Sequence, residues 1–276
     1  MCVVLGAVAA SAAAAVPEED RGTAFGSETT ASRRGGGMTR FSASAAETAV
    51  VVYDLWDAHW CGPASGRAGV LAGRVDAALR RWRRAGLGLV AFAPNGALPS
   101  ALHPARRRAA RCVLDQEGAP RLGPPLEHAP WELPVASDPL RSCEAPAGMA
   151  RKVWSRQHPS IDVEVGRGSP DVFTTSPSEL ACLLRTRNIT RLLLVGVHAN
   201  VCMLWLHPLS LAWLLPNRAA LGLTSLAIVS DLSDSITDGG RGKPPDAHAQ
   251  VLTWINATLG VPHVHSTGFG PPLSQE

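Results

Sequence analysis

Residues 191–202 read RLLLVGVHANVC. Leu192, Leu193, Leu194, Val195 and Gly196 form an apolar or small run with no polar alternate. That is the pattern of a parallel strand buried on both faces. The run breaks at Gly196-Val197-His198-Ala199-Asn200, and Cys202 stands where a helix is due to begin. A helix N-terminus presents backbone N–H groups and the positive end of a dipole. Both favour thiolate over thiol, which makes Cys202 a candidate nucleophile. The plainer alternative is a small buried hydrophobe, the usual state of a lone cysteine.

Outward from this stretch, strand and helix patterns alternate. A first strand, 49–54, ends in Asp54, and 87–92 reads as a second. Between them Val70, Leu71, Val75, Ala78, Leu79 and Trp82 recur at helical spacing over 70–85, with Gly86 as C-cap. Residues 161–165 (IDVEV) read as a third, weaker strand. Residues 178–187 read as a helix capped by Ser176 or Ser178 ahead of Glu179. After the 191–197 strand come a helix over about 200–215, a strand over 223–230, a helix over 246–259 and a short strand over 261–264. This order predicts an α/β fold: a three-layer α-β-α, doubly wound and mostly parallel sheet of about six strands. Ligands of such sheets bind at the carboxyl ends of the strands.

Composition bounds the rest. With 276 residues and 46% hydrophobic content, one large domain is expected over 48–265, carrying a Pro-rich insertion at 94–150. The net charge is +3. Its basic clusters, Arg80-Arg81-Trp82-Arg83-Arg84 and Arg106-Arg107-Arg108, read as solvated helix faces, and no nucleic-acid partner is expected. Residues 1–16 resemble a signal-peptide core without the basic segment that normally precedes it. Residues 17–47 have the composition of a disordered leader, and 266–276 read as a tail. No later segment is apolar for long enough to span a membrane. An exported or organellar destination is favoured over a cytoplasmic one. Were the chain exported, Cys112 and Cys143 are placed to pair across an irregular region. None of the six cysteines shows zinc-ligand spacing.

With strands one and four as neighbours, Asp54 and Cys202 face one crevice. A carboxylate there can take the thiol proton and later assist a water. Backbone N–H groups of the turn can receive an oxyanion. The segments VVYDLWDAHWC (51–61), WSRQHP (154–159) and GVHANVC (196–202) resemble the isochorismatase-like cysteine hydrolases, the family that includes nicotinamidases, and within it a divergent subgroup. The resemblance spans roughly 48–265. It implies that Asp54 is the general base, that Cys202 attacks a carbonyl carbon, and that N–H groups of His198 and Cys202 form the oxyanion hole. It also implies a non-proline cis peptide at Val197-His198.

The chain departs from the family at its catalytic lysine. Counting back from Phe173 places Arg167 there, and Arg156 is a second candidate for that positive charge. Neither Lys152 nor Lys243 fits. Arginine keeps the charge but does not shuttle protons. Trp56, Asp57, His59, Trp60 and His158 are candidate pocket walls, each with a structural alternative. The metal-binding aspartate–histidine pattern of nicotinamidases is absent, its place reading Ala93-Pro94-Asn95-Gly96-Ala97, so neither metal nor other cofactor is expected. The leading expectation is a hydrolase of a small amide or related carbonyl compound acting through a Cys202 thioester. The alternatives are a pseudoenzyme or small-ligand binding protein on the same fold, and a vinyl-ether hydrolase. Leu204, Trp205, Leu206, Leu209, Leu211 and Trp213 are expected mostly in the core, with a contact to a second copy of the chain as the other use.

Overall fold

The computed structural model describes residues 45–59, 61–112, 121–127, 154–236 and 246–268. The signal-like segment, most of the leader, much of the insertion, Trp60, Cys143, Lys152 and Lys243 lie outside them. Strands β1 (Thr48–Tyr53), β2 (Leu89–Ala93), β3 (Asp171–Phe173), β4 (Arg191–Val197), β5 (Ser225–Asp234) and β6 (His263–Val264) form one sheet in the order β3-β2-β1-β4-β5-β6. Every pairing is parallel. All residues of β1 and β2 are buried, because helices cover both faces. On one face Val50, Val52, Phe92 and Val195 pack under Leu71, Val75, Leu79 and Trp82 of α1 (Gly62–Arg84). On the other, Val51, Tyr53, Leu192 and Leu194 meet helices α3 (Pro177–Thr186), α4 (Leu211–Asn217) and α5 (Ala247–Leu259). The short helix α2 (Pro104–Ala110) lies against β3 and α3. Among the described residues no helix is long and apolar enough to cross a membrane.

Helix α1 starts well before its apolar periodicity. Gly62-Pro63 opens it, and Ala64 and Ala68 are its buried positions there. Small residues hide the spacing that larger ones announce, while proline at the helix start is favourable. Helix α3 is capped as the sequence predicts, Ser176 Oγ accepting the Glu179 N–H at 3.4 Å.

The third strand is displaced from its expected place. Residues 161–165 form no sheet pairing; β3 is the short Asp171–Phe173 run. Side chains satisfy the 161–165 backbone instead of a ladder. Asp76 accepts the Asp162 N–H and Asp171 the Glu164 N–H, both at 2.8 Å. Arg83 donates to Asp162 O, and Arg108 to Glu164 O and Val165 O. Arg83 also pairs with the buried Asp171. Those arginines line a cleft of about 770 Å³ at the amino edge of the sheet. Arg83 and Arg84 in the last turn of α1 and Arg187 at the end of α3 also oppose the negative ends of their helix dipoles. The cleft is thus a strut for this edge, on the far side of the sheet from Asp54.

Two further expectations are corrected. The segment after Cys202 is not one helix: a single π-type turn, Cys202–Leu206, is followed by a break and then α4. The His207 N–H reaches back to Cys202 O at 3.1 Å, and the next residue, Pro208, has no N–H with which to continue. The dipole at Cys202 is therefore that of one turn. The Cys112–Cys143 pairing, open only were the chain exported, gives way to a Cys112–Cys182 disulfide, which ties the end of α2 to α3 across 70 residues. Cys61 is also disulfide-bonded, and among the described residues Cys202 is the cysteine outside any disulfide. Closing a loop of that length removes denatured-state entropy worth about 2–4 kcal/mol. Cys112→Ser with Cys182→Ser is expected to lower the melting temperature by about 5–10 °C in a calorimetric scan; an unchanged transition would show that packing alone holds α2.

Candidate active site

The site is built where the sheet changes direction. Chain order runs outward through β2 and β3 on one side of β1 and through β5 and β6 on the other side of β4, so the topological switch point lies between β1 and β4, at whose carboxyl ends such sheets hold their ligands. Tyr53, the last residue of β1, is in register with Gly196. The approach is so close that a Cβ on Gly196 would lie 2.1 Å from Tyr53 O, and Gly196 has φ +108. Only glycine fits both conditions.

Asp54 follows directly, buried and with φ +49, a left-handed conformation open to aspartate and asparagine more than to most residues. Its Oδ1 accepts the Asn95 N–H at 2.7 Å. Asn95 O in turn accepts from Trp56 Nε1 at 3.3 Å. Asn95, at the end of β2, thus orients the carboxylate and one pocket wall together. Sequence reasoning passed over it because both bonds use its backbone.

The turn after β4 carries a cis peptide between Val197 and His198. His198 O accepts the N–H groups of Val201 and Met203, each at 3.1 Å, and Ala199 N–H donates to Asp234 O at 2.8 Å. The turn is locked from behind by Asn200, fully buried, whose amide exchanges two hydrogen bonds with the backbone of Ile236. A shift in the β4–β5 register past Leu194 brings Ser233 and Asp234 alongside Gly196 and Val197. Cys202 then lies 5% exposed in an apolar cluster with Trp56, Cys61, Ala64, Ala97, Val201 and Ile236, and Trp154 and Leu206 pack against it.

An aromatic wall faces this cluster. The Trp56 ring is 5.8 Å from Trp154 and 6.1 Å from His59, and His59 is 5.2 Å from His198. His59 Nδ1 accepts the Cys61 N–H at 3.1 Å, so its proton sits on Nε2. Burial pushes His59 down to about 4, with the Arg67 charge acting the same way. His59 is therefore a neutral wall, not a cation. Arg67, in the second turn of α1, pairs with Asp234 at 2.8 Å. It is a cation near the crevice that its glycine-flanked sequence gave no reason to single out.

The other predicted site residues separate. Arg167 is exposed and precedes β3, whose first residue pairs with the start of β2; it lies at the amino edge, and counting along the sequence could not detect the displaced strand. Arg156 points outward, 71% exposed, and holds Asp57 at 2.8 Å. His158 turns to α1, its Nε2 3.5 Å from where a Gly69 Cβ would be. Trp60 lies outside the described residues. Among the described residues, no group of three or more His, Cys, Asp or Glu is set to hold a metal ion. Of the apolar segment after Cys202, Leu204, Leu209, Leu211 and Trp213 are core, while Trp205 is 37% exposed.

His207, beneath the site, is buried between Ala93 O and the Leu209 N–H, and burial pushes it down to about 4. Both histidines bind protons less readily folded than unfolded, where the ordinary value is about 6.5. Their contribution is complete above pH 6.5 and is lost as pH falls toward 4, on the order of 2–3 kcal/mol for each at the lower limit. The melting temperature is expected to decline through that window, less steeply in His207→Gln. A flat profile between pH 6.5 and 4.5 would contradict this.

No family model matches the chain, and no curated protein matches it. Similar solved structures include a cysteine hydrolase from Pseudomonas syringae pv. phaseolicola (16% identity, 84% of this chain and 94% of that one, TM-score 0.43). An isochorismatase family protein from Burkholderia thailandensis is 18% identical over 81% of this chain and 93% of that one, with TM-score 0.43. N-carbamoylsarcosine amidase from Thermoplasma acidophilum is 15% identical over 80% and 96%, with TM-score 0.42. Identities this low bring no substrate with them, and the sheet order stands on its own hydrogen bonds. Many of the structure neighbours are isochorismatase-family cysteine hydrolases, nicotinamidases and N-carbamoylsarcosine amidase.

Proposed function

We propose that the chain is a metal-free cysteine hydrolase of small amides or related carbonyl compounds. The observation that carries this reading is the delivery of one carboxylate and one cysteine outside any disulfide, Asp54 and Cys202, to the same end of two paired strands. Asp54 takes the thiol proton as Cys202 Sγ bonds to the carbonyl carbon. The oxyanion is held by the N–H groups of His198 and Cys202, whose turn neighbours Ala199, Val201 and Met203 are tied down elsewhere. As the C–N bond breaks, Asp54 returns the proton to the leaving nitrogen. A water then gives a proton to Asp54 and attacks the thioester, releasing the acid and restoring the thiol.

One observation favours a second reading, a small-ligand binding protein without turnover. Neither arginine considered in place of the family lysine turns to the Asp54 end of the sheet: Arg156 enters a surface pair with Asp57, and the exposed Arg167 precedes β3 at the opposite edge. The Cys112–Cys182 disulfide supports maturation in an oxidising compartment.

Ammonia release across a panel of small amides tests the hydrolase. Asp54→Asn keeps the left-handed backbone and is expected to fold, yet to lose about 100-fold or more of the activity; Cys202→Ser is expected to lose as much. Folded protein inert to the whole panel would leave the binding reading in place.

A further inference from the structure

We propose that Asn188 and Asn256 are attachment sites for N-linked oligosaccharide, added while the chain is synthesised into an oxidising secretory compartment.

The chain has five asparagines, at positions 95, 188, 200, 217 and 256. Three of them are occupied by the fold. Asn95 holds the Asp54 carboxylate through its N–H. The buried Asn200 and Asn217 spend their side-chain amides on backbone groups, the first on Ile236 and the second on Gly123 and Trp213. Asn188 and Asn256 are the exposed ones. They are also the two with threonine two residues on, in Asn188-Ile189-Thr190 and Asn256-Ala257-Thr258, with no proline between. That is the acceptor pattern of an oligosaccharyl transferase. A glycan is bulky and hydrophilic and must stay outside the packed interior. Exposure and sequence pattern, two independent criteria, therefore select the same two asparagines.

Their places in the fold agree with this use. Crossover helices of a parallel sheet run against its strands, so each helix ends at the amino edge. Asn188 follows α3 in a left-handed turn (φ +54) ahead of β4, and Asn256 lies in the last turn of α5. Both helices pack on the same face of the sheet. The two attachment points thus share one edge, opposite the end that carries Asp54 and Cys202. Asn256 and Thr258 are exposed and form helix less readily than alanine, so helix formation alone does not favour them there. The Cys112–Cys182 disulfide and the bonded Cys61 suit a compartment in which disulfides persist.

The step is a glycosyl transfer from a lipid-linked oligosaccharide diphosphate. The asparagine Nδ2 bonds to C1 of the first sugar as the bond from C1 to the diphosphate oxygen breaks. Nδ2 gives up one proton, and the lipid diphosphate leaves. At Asn188 this precedes folding. In the folded chain the Ile189 N–H is held by Leu184 O at 2.8 Å and the Thr190 N–H by Glu47 O at 3.0 Å, and Ile189 is buried. The tripeptide enters a transferase only before β4 docks, and folding then leaves its asparagine outside.

The test uses the full chain expressed in cultured animal cells, isolated, and treated in heavy-oxygen water with the amidase that removes N-linked glycans. Two downward steps in mass are expected, with heavy-oxygen aspartate found in place of Asn188 and of Asn256. Thr190→Ala and Thr258→Ala keep each asparagine and are each expected to abolish one step. Thr190→Ser and Thr258→Ser are expected to retain it, a hydroxyl dependence that a merely structural threonine would not impose on mass. Thr258 lies on an exposed helix end, so its variants stand even if Thr190→Ala fails to fold. The proposal is overturned if the amidase leaves the mass unchanged, whether the cysteines are paired or free. It is equally overturned if the mass loss persists in the chain carrying both Thr190→Ala and Thr258→Ala.

Discussion

The contact on which the site depends is between two backbones. At the carboxyl end of the central strand pair, Gly196 approaches Tyr53 so closely that any Cβ would collide with the Tyr53 carbonyl. That contact fixes where β1 and β4 stop relative to each other. Asp54 therefore emerges opposite the Val197–Cys202 turn. The acid and the thiol belong to different strands, and a sheet positions such groups more rigidly than loops do.

Around that contact the supporting bonds run to backbone atoms. Asn95 holds the Asp54 carboxylate and Trp56 through its own N–H and C=O, Asn200 clips the turn to Ile236, and Asp234 O takes the Ala199 N–H. Each connection joins segments distant in sequence, so the turn has little freedom to relax. By contrast, Trp154, packed against the apolar cluster around Cys202, carries a buried Nε1 without a hydrogen-bond partner. Local rules are most often broken where function requires it.

The fold was legible where side chains alternate or run apolar. RLLLVGV and AVVVYD announced the two central strands, and Ser176 ahead of Glu179 announced a capped helix. What escaped was held by side chain to backbone bonds or by small residues. The 161–165 segment has a strand's composition, but Asp76, Arg83, Asp171 and Arg108 take its hydrogen bonds. This moved β3 later and carried Arg167 to the far edge. Helix α1 began eight residues before its apolar pattern because glycine and alanine fill its first turns. The helix after Cys202 broke where His207 and Pro208 follow a π-type turn. In the crevice, Asp54, Cys202, Trp56, His59 and His198 carry motif signals. Asn95 carries none, because it acts through its own N–H and C=O.

The arrangement leaves Cys202 in an apolar cluster at the start of one π-type turn, without a full helix behind it. In the proposed hydrolysis, Asp54 would have to receive the proton as the bond to carbon forms. Intact-mass spectrometry of the chain, acid-quenched during turnover of a small amide, tests that claim most directly. The account predicts an acyl addition that maps to the Cys202 peptide and fails to form in Asp54→Asn. Release of the acid at an undiminished rate by Cys202→Ser, with no adduct on the native chain, would contradict it.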